Sequence, residues 1–268
     1  MSSTVRGRHV AVNGIRLHYL EFPRDAQAVI VLPGITMPAA TWEFVGRRLA
    51  QNFHVILIDN RGRGLSQATP EMSYQLNDYA HDTLGLVQAL KLEKAAVLGH
   101  SMGARIAIRL AAMAPGVLGR LVLADPPMTG PGRRSYPAPL DWYLTSIEKV
   151  SRGEGFDEMH ASLNWPEDQI NLRMQWLPTC DRKAVTDSYN SFNDEDIFSC
   201  LPTIESETLL MYAEHGDTVR DSEAADFVGR LPHGRLCKVE NAGHMIPWDN
   251  PDAFHETAAK FIQTGQLP

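Results

Sequence analysis

Three short apolar runs recur in the first hundred residues: Ala28-Val-Ile-Val-Leu32, His54-Val-Ile-Leu-Ile58 and Ala95-Ala-Val-Leu98. Their apolarity is continuous rather than alternating, which predicts strands covered on both faces, as in a parallel sheet packed between helices. Arg120-Leu-Val-Leu-Ala124, Thr208-Leu-Leu-Met-Tyr212 and Leu236-Cys-Lys-Val239 extend the series. The start reads differently. From Val10 to Tyr19 the pattern alternates around Asn13-Gly14, which predicts an antiparallel hairpin. Between the strands the period lengthens. Tyr79, Thr83, Leu86, Val87 and Leu90 share one helical face. Ser101 to Ala114 is a helix stopped by Pro115-Gly116, and Asp221–Leu231 and Pro251–Ile262 close the chain. Strands alternating with helices predict a doubly wound α/β sheet.

The rhythm breaks between residues 127 and 203. This stretch holds Trp142, Trp165 and Trp176, three of the five tryptophans, with many prolines and no buried-strand pattern. It predicts a helical lid inserted over the carboxyl edge of the sheet. The core then comprises residues 1–126 and 204–268.

Net charge is −7 in 268 residues. Nucleic acid and anionic membrane surfaces, which demand a concentrated positive field, are therefore excluded as expected partners. Cys180, Cys200 and Cys237 form no CxxC pair and no even framework, the usage of a reducing compartment. Met1 to His9 lacks the apolar stretch of a signal peptide, and no run approaches the ~20 apolar residues of a membrane span. The expectation is a cytoplasmic protein.

Gly99-His100-Ser101-Met102-Gly103 carries the chemistry. A Gly-x-Ser-x-Gly turn between a strand and a helix puts the serine on a strained backbone whose neighbours cannot carry Cβ atoms. It also aims Oγ toward the positive end of a helix dipole. Ser101 needs a base, and His244, in Gly243-His244 after the last predicted strand, titrates in the range that lets it take and return a proton. Two carboxylates compete to orient it. Asp125 ends the strand Leu121–Ala124, and Asp217 follows the strand Leu209–Tyr212. Strand order alone favours Asp217 slightly, because its strand is the one just before the histidine's. An oxyanion hole calls for two backbone amides: that of Met102, after the nucleophile, and that of Ile35, in Leu32-Pro33-Gly34-Ile35-Thr36.

The remaining polar clusters read as structural. Asp59-Asn60-Arg61-Gly62-Arg63-Gly64 lacks phosphate-loop spacing, so Asp59 and Arg61 are expected to brace loops under the site. His100 is expected in a supporting role. No grouping has metal-ligand spacing, and neither a metal nor an organic cofactor is expected.

These residues resemble the α/β-hydrolase family along nearly the whole chain. The resemblance rests on Asn13-Gly14-Ile15, Pro33-Gly34, Asp59 to Ser66, Gly99 to Gly103 and Gly243-His244. It implies a mostly parallel twisted sheet of about eight strands with helices on both faces and a helical lid. It also implies a cofactor-independent serine hydrolase. Pro33 departs from the family's usual histidine, which removes a side-chain brace from the oxyanion loop. Within the family, Leu123-Ala124-Asp125-Pro126-Pro127 and the elbow are similar to members that remove formyl from an N-formyl amide of a small carboxylic acid. In those members the acid follows the strand after the nucleophile helix, which selects Asp125 and leaves Asp217 as the alternative. The resemblance also implies a small carboxylate substrate. Arg133, Arg134, Lys149 and Arg152 are the candidate cations for it, with Trp142, Tyr143, Trp165 and Trp176 as apolar walls. An esterase, an enol-lactonase, a carbon–carbon bond hydrolase or a non-catalytic sensor on the same fold would share most of these features.

Overall fold

The computed structural model describes residues 4–163 and 165–268. Met1 to Ser3, the head of the segment read as lacking a signal peptide, lie outside them, as does Asn164. One sheet of eight strands organises the chain, in the order β1-β2-β4-β3-β5-β6-β7-β8. β1 (Arg6–Val12) and β2 (Ile15–Phe22) form the predicted hairpin, and β2 pairs antiparallel with β4 (His54–Ile58). From there β3 (Ala28–Leu32), β5 (Ala96–His100), β6 (Leu121–Ala124), β7 (Thr208–Ala213) and β8 (Gly234–Val239) run parallel. The central strands are buried along their whole length, the physical reason their sequences do not alternate. β1, at one edge, is largely exposed and carries Arg6, Arg8 and His9, charges that discourage edge-to-edge pairing.

Helices fill the crossovers. They are α1 (Glu43–Leu49), α2 (Leu76–Ala89) and α3 (Met102–Met113), with α8 (Asp221–Gly229), the one-turn α9 (Ile246–Asp249) and α10 (Pro251–Thr264) towards the end. β3 to β4 moves one way along the sheet and β5 to β6 moves the other. Right-handed crossovers therefore put α1 and α3 on opposite faces. α2 packs with α3, and α10 with α1. The direction reverses beside β3 and β5, and the crevice beyond their carboxyl ends is where an open α/β sheet binds its ligand.

Between β6 and β7 the chain leaves the sheet and forms α4 (Leu140–Ser151), α5 (Phe156–Ser162), α6 (Glu167–Trp176) and α7 (Arg182–Asp194). Among the described residues this stretch contains no strand. It is anchored below by buried arginines. The Arg105 guanidinium in α3 donates to the carbonyls of Pro127, Thr129, Ser191 and Glu195. Arg63 donates to the Ala184 carbonyl, Ser188 Oγ and the Ile35 carbonyl. Among the described residues no helix is long and apolar enough to cross a membrane.

Candidate active site

Four strand ends converge on one cavity. Ser101 leaves β5 with φ 54° and ψ −119°, a left-handed backbone that a side chain adopts only under strain. The flanking glycines permit it. A Cβ on Gly103 would stand 1.9 Å from the Leu32 carbonyl oxygen, and one on Gly99 would stand 2.4 Å from that of Gly103. The turn is held by the Ser101 amide, which donates to the Ala124 carbonyl at 2.8 Å.

His244, after β8, faces the serine. Ser101 Oγ lies 3.1 Å from His244 Nε2, and His244 Nδ1 lies 2.6 Å from Asp125 Oδ2. The network is satisfied with Nδ1 carrying the proton and Nε2 accepting from the hydroxyl. Asp125 is 2% exposed, and its other oxygen accepts from the Ala213 amide at 3.1 Å, so one sheet strand orients the carboxylate that another supplies. Thr218 Oγ1 stands 3.2 Å from the same Nδ1. Asp217 lines the cavity but is engaged elsewhere. It accepts from Arg220 Nε at 2.6 Å and from Arg134 at 3.5 Å. The hydrogen bond from Arg220, with the nearby Arg134 charge, holds the Asp217 carboxyl below its ordinary value. The carboxylate against His244 is thus Asp125.

His100 is buried behind the pair. Its Nε2 donates to the His244 carbonyl at 2.8 Å, fixing the backbone of the loop that carries the base. Burial, reinforced by the neighbouring His244 ring, pushes its pKa down to about 3, so it stays neutral.

The amides of Ile35 and Met102 have no intramolecular acceptor among the described residues. Met102 opens α3, where no carbonyl precedes it to receive its N–H. The Ile35 loop is braced although Pro33 replaces the family's histidine. Arg63 Nε donates to the Ile35 carbonyl at 2.9 Å, and Asn60 Nδ2 donates to the Pro33 carbonyl at 3.1 Å. Asp59 accepts from the Ala39 and Leu65 amides and contacts His18 Nδ1, while Arg61 forks onto Asp82. Both are structural supports, as the Gly-Arg loop suggested.

The cavity has a volume of about 380 Å³ and is walled by Tyr136, Trp142, Tyr143, Leu163 and Trp165. Trp176 is not among its lining residues. None of the four expected cations lines it either. Arg133 sits on the Phe198 ring and pairs with Asp226, and Arg134 forks onto Glu223. Lys149 pairs with Glu158, and Arg152 with Glu148. Their sequence neighbourhoods gave no sign that each already had a carboxylate. The cation that does line the cavity is Arg173 of α6. It is 6% exposed and donates to Thr36 O at 3.2 Å, Met37 Sδ at 2.8 Å and Thr36 Oγ1 at 3.3 Å. Among the described residues no carboxylate answers it. Burial lowers its pKa from the ordinary arginine value.

Comparison with known proteins agrees with this geometry. The Alpha/beta hydrolase family model matches residues 29–257. N-formylmaleamate deformylase of Pseudomonas putida is 43% identical over 263 residues, 98% of each chain. A 2-hydroxy-6-oxononadienedioate/2-hydroxy-6-oxononatrienedioate hydrolase, also of Pseudomonas putida, is 25% identical over 93% of this chain and 92% of its own. Among solved structures, the N-formylmaleamic acid deformylase of Pseudomonas putida S16 superposes with a TM-score of 0.89 at 42% identity, covering 93% of this chain and 98% of that one. The E-2-(acetamidomethylene)succinate hydrolase gives 0.81 at 23% identity, over 97% of this chain and all of that one, a likeness of fold alone. On the strand order, the serine turn beyond β5 and a family match spanning most of its length, the chain belongs to the α/β-hydrolase family.

Proposed function

We propose that the protein is an N-formylmaleamate deformylase, cleaving the N-formyl amide of N-formylmaleamic acid to maleamate and formate. The observation that carries the reading is a buried guanidinium, Arg173, facing the cavity in which Ser101, His244 and Asp125 are joined by hydrogen bonds. A 43% identity to such an enzyme over nearly the full length supports it.

Ser101, His244 and Asp125 act as the catalytic triad. His244 Nε2 takes the Ser101 proton as Oγ attacks the formyl carbon, and Asp125 stabilises the imidazolium. The Ile35 and Met102 amides receive the negative oxygen. The intermediate collapses by breaking the C–N bond, and His244 Nε2 returns its proton to the departing nitrogen. That nitrogen bears a second carbonyl, so it leaves more readily than a simple amine. A water deprotonated by His244 then attacks the formyl-serine, releasing formate and restoring the Ser101 hydroxyl.

Arg173 receives the substrate carboxylate, whose burial without a cation is costly. The residues that hold it, Thr36 and Met37, directly follow the oxyanion donor Ile35, so the guanidinium and that amide are carried by one loop of the cavity wall. Residues 127–203 form the lid that carries this cation. The protein acts in the cytoplasm, where Cys180, Cys200 and Cys237, all unpaired, stay reduced.

Purified protein is expected to release formate and maleamate in equal amounts from N-formylmaleamate, and Ser101→Ala is expected to release neither. Cleavage of simple aryl esters without formate release from N-formylmaleamate overturns the substrate assignment and returns the site to an esterase.

A further inference from the structure

We propose that Tyr136, backed by Tyr143, is a further catalytic residue that hydrogen-bonds the carbonyl oxygen of the departing amide as the C–N bond breaks. The inference rests on the N-formyl amide reading above and adds a group to the leaving side of the reaction.

The Tyr136 side chain descends into the cavity from the segment after β6 and is 6% exposed. Its hydroxyl stands 3.5 Å from His244 Nε2, the atom that protonates the leaving nitrogen. That separation is too long for a committed hydrogen bond and leaves room for a substrate atom beside both groups. The Tyr143 hydroxyl lies 3.4 Å from the Tyr136 oxygen and Thr218 stands beside it; the contact with Tyr143 is loose, so the Tyr136 proton can turn to a substrate oxygen. In the resting site the single lone pair of Nε2 is taken by the Ser101 hydroxyl, so the Tyr136 proton is not committed to the histidine. Once Nε2 carries the Ser101 proton it accepts nothing, and a substrate oxygen beside both groups can take the Tyr136 proton. Burial, with Tyr143 beside it, holds the phenol well above its ordinary value. Tyr136 therefore remains a neutral donor at every working pH and never competes with His244 as base.

The chemistry needs such a donor. When the C–N bond breaks, its electron pair passes to an amide nitrogen and spreads onto the adjacent carbonyl oxygen, ~2.2 Å away. The oxyanion amides of Ile35 and Met102 serve the formyl oxygen and are already occupied. A nitrogen in contact with His244 Nε2 brings its carbonyl oxygen within reach of the Tyr136 hydroxyl. His244 supplies the proton that neutralises the nitrogen, and Tyr136 keeps its own. A donor placed where charge develops lowers the barrier without a net proton transfer.

The test compares two leaving groups with one acyl group. N-formylmaleamate departs as an amide, whereas an aryl formate departs as a phenolate with no carbonyl to bind. Both pass through the same formyl-serine. Tyr136→Phe is expected to lower kcat/KM for N-formylmaleamate by about 10²-fold, the order seen when one such donor is removed, and to lower that for the aryl formate by far less. Tyr143→Phe is expected to give the same contrast with a smaller loss. Retained ester cleavage shows that each variant is folded. Equal losses on both substrates reduce Tyr136 to a positioning residue for His244 and overturn the proposal, as does an undiminished rate on N-formylmaleamate. A wild-type protein inert towards N-formylmaleamate but active on aryl formates removes the deformylase reading itself. The Tyr136 contrast is then read on N-formylacetamide, where unequal losses still uphold it and equal losses overturn it.

Discussion

The strand ends and the helical segment between β6 and β7 contribute different things to one cavity. Ser101, Asp125, His244 and the Ile35 and Met102 amides all stand within a residue or a short loop of β5, β6, β8 and β3. Hydrogen bonds between strands fix them, so their geometry is set by the register of the sheet. Tyr136, Tyr143 and Arg173 come instead from the helical segment, whose hold on the core passes through buried arginines and backbone carbonyls. The difference teaches that bond breaking and substrate choice are separable here. A change at a strand end should abolish chemistry for every substrate, whereas a change in the helices should redistribute rates among substrates.

Four substitutions can break or sharpen that separation. The largest effect belongs to Asp125→Asn, which leaves His244 in the wrong tautomer and is expected to cost about 10⁴-fold in kcat on amide and ester alike. Asp217→Asn, which only releases Arg134 and Arg220, is expected to lower kcat by less than about fivefold. Steady-state kinetics on both variants decide between the carboxylates, and the reverse pattern would move the acid to Asp217. Next is Arg173→Met. Loss of a charged hydrogen bond of about 1.5–3 kcal/mol predicts a kcat/KM for N-formylmaleamate lower by roughly 10- to 150-fold, with its neutral methyl ester unaffected. Parallel losses on acid and ester would make Arg173 a structural brace.

The smallest effect is thermodynamic. His100, held neutral down to about pH 3 in the fold, takes up a proton near pH 6.5 when the chain unfolds. Between those values the unfolded state binds more protons, so stability falls as pH falls. The full contribution is present above pH ~6.5. His100→Gln should remove up to about 1.4 kcal/mol per pH unit from the slope of unfolding free energy measured in urea below that point. An unchanged slope would mean that the ring is protonated in the folded protein.

How far the sequence revealed each region follows the same division. Buried strands must be continuously apolar, and a strained serine must be flanked by glycine, so β3 to β8 and the Ser101 turn announce themselves. The carboxylate was ambiguous because Asp125 and Asp217 each follow an apolar strand. Only the packing of Arg134 and Arg220 onto Asp217 separates them. The helical segment concealed more. Arg173 lies in α6 among Glu167, Asp168, Gln169, Asn171 and Gln175, and nothing in that largely polar run distinguishes a buried guanidinium from the surface-paired Arg133 or Arg152. Burial there is decided by the fit of α6 over the Ile35–Met37 loop, a long-range contact with no local signature. Tyr136 was equally silent, since its role depends on a histidine 108 positions away.

The central claim is that the helical segment seats the substrate so that the formyl carbon, and not the maleamyl carbonyl, meets Ser101. Turnover of N-formylmaleamate in water labelled with heavy oxygen tests it directly. Attack at the formyl carbon predicts formate carrying one labelled oxygen and maleamate carrying none. Label in maleate, with formamide as the second product, would mean that the substrate lies reversed in the cavity and would contradict the account.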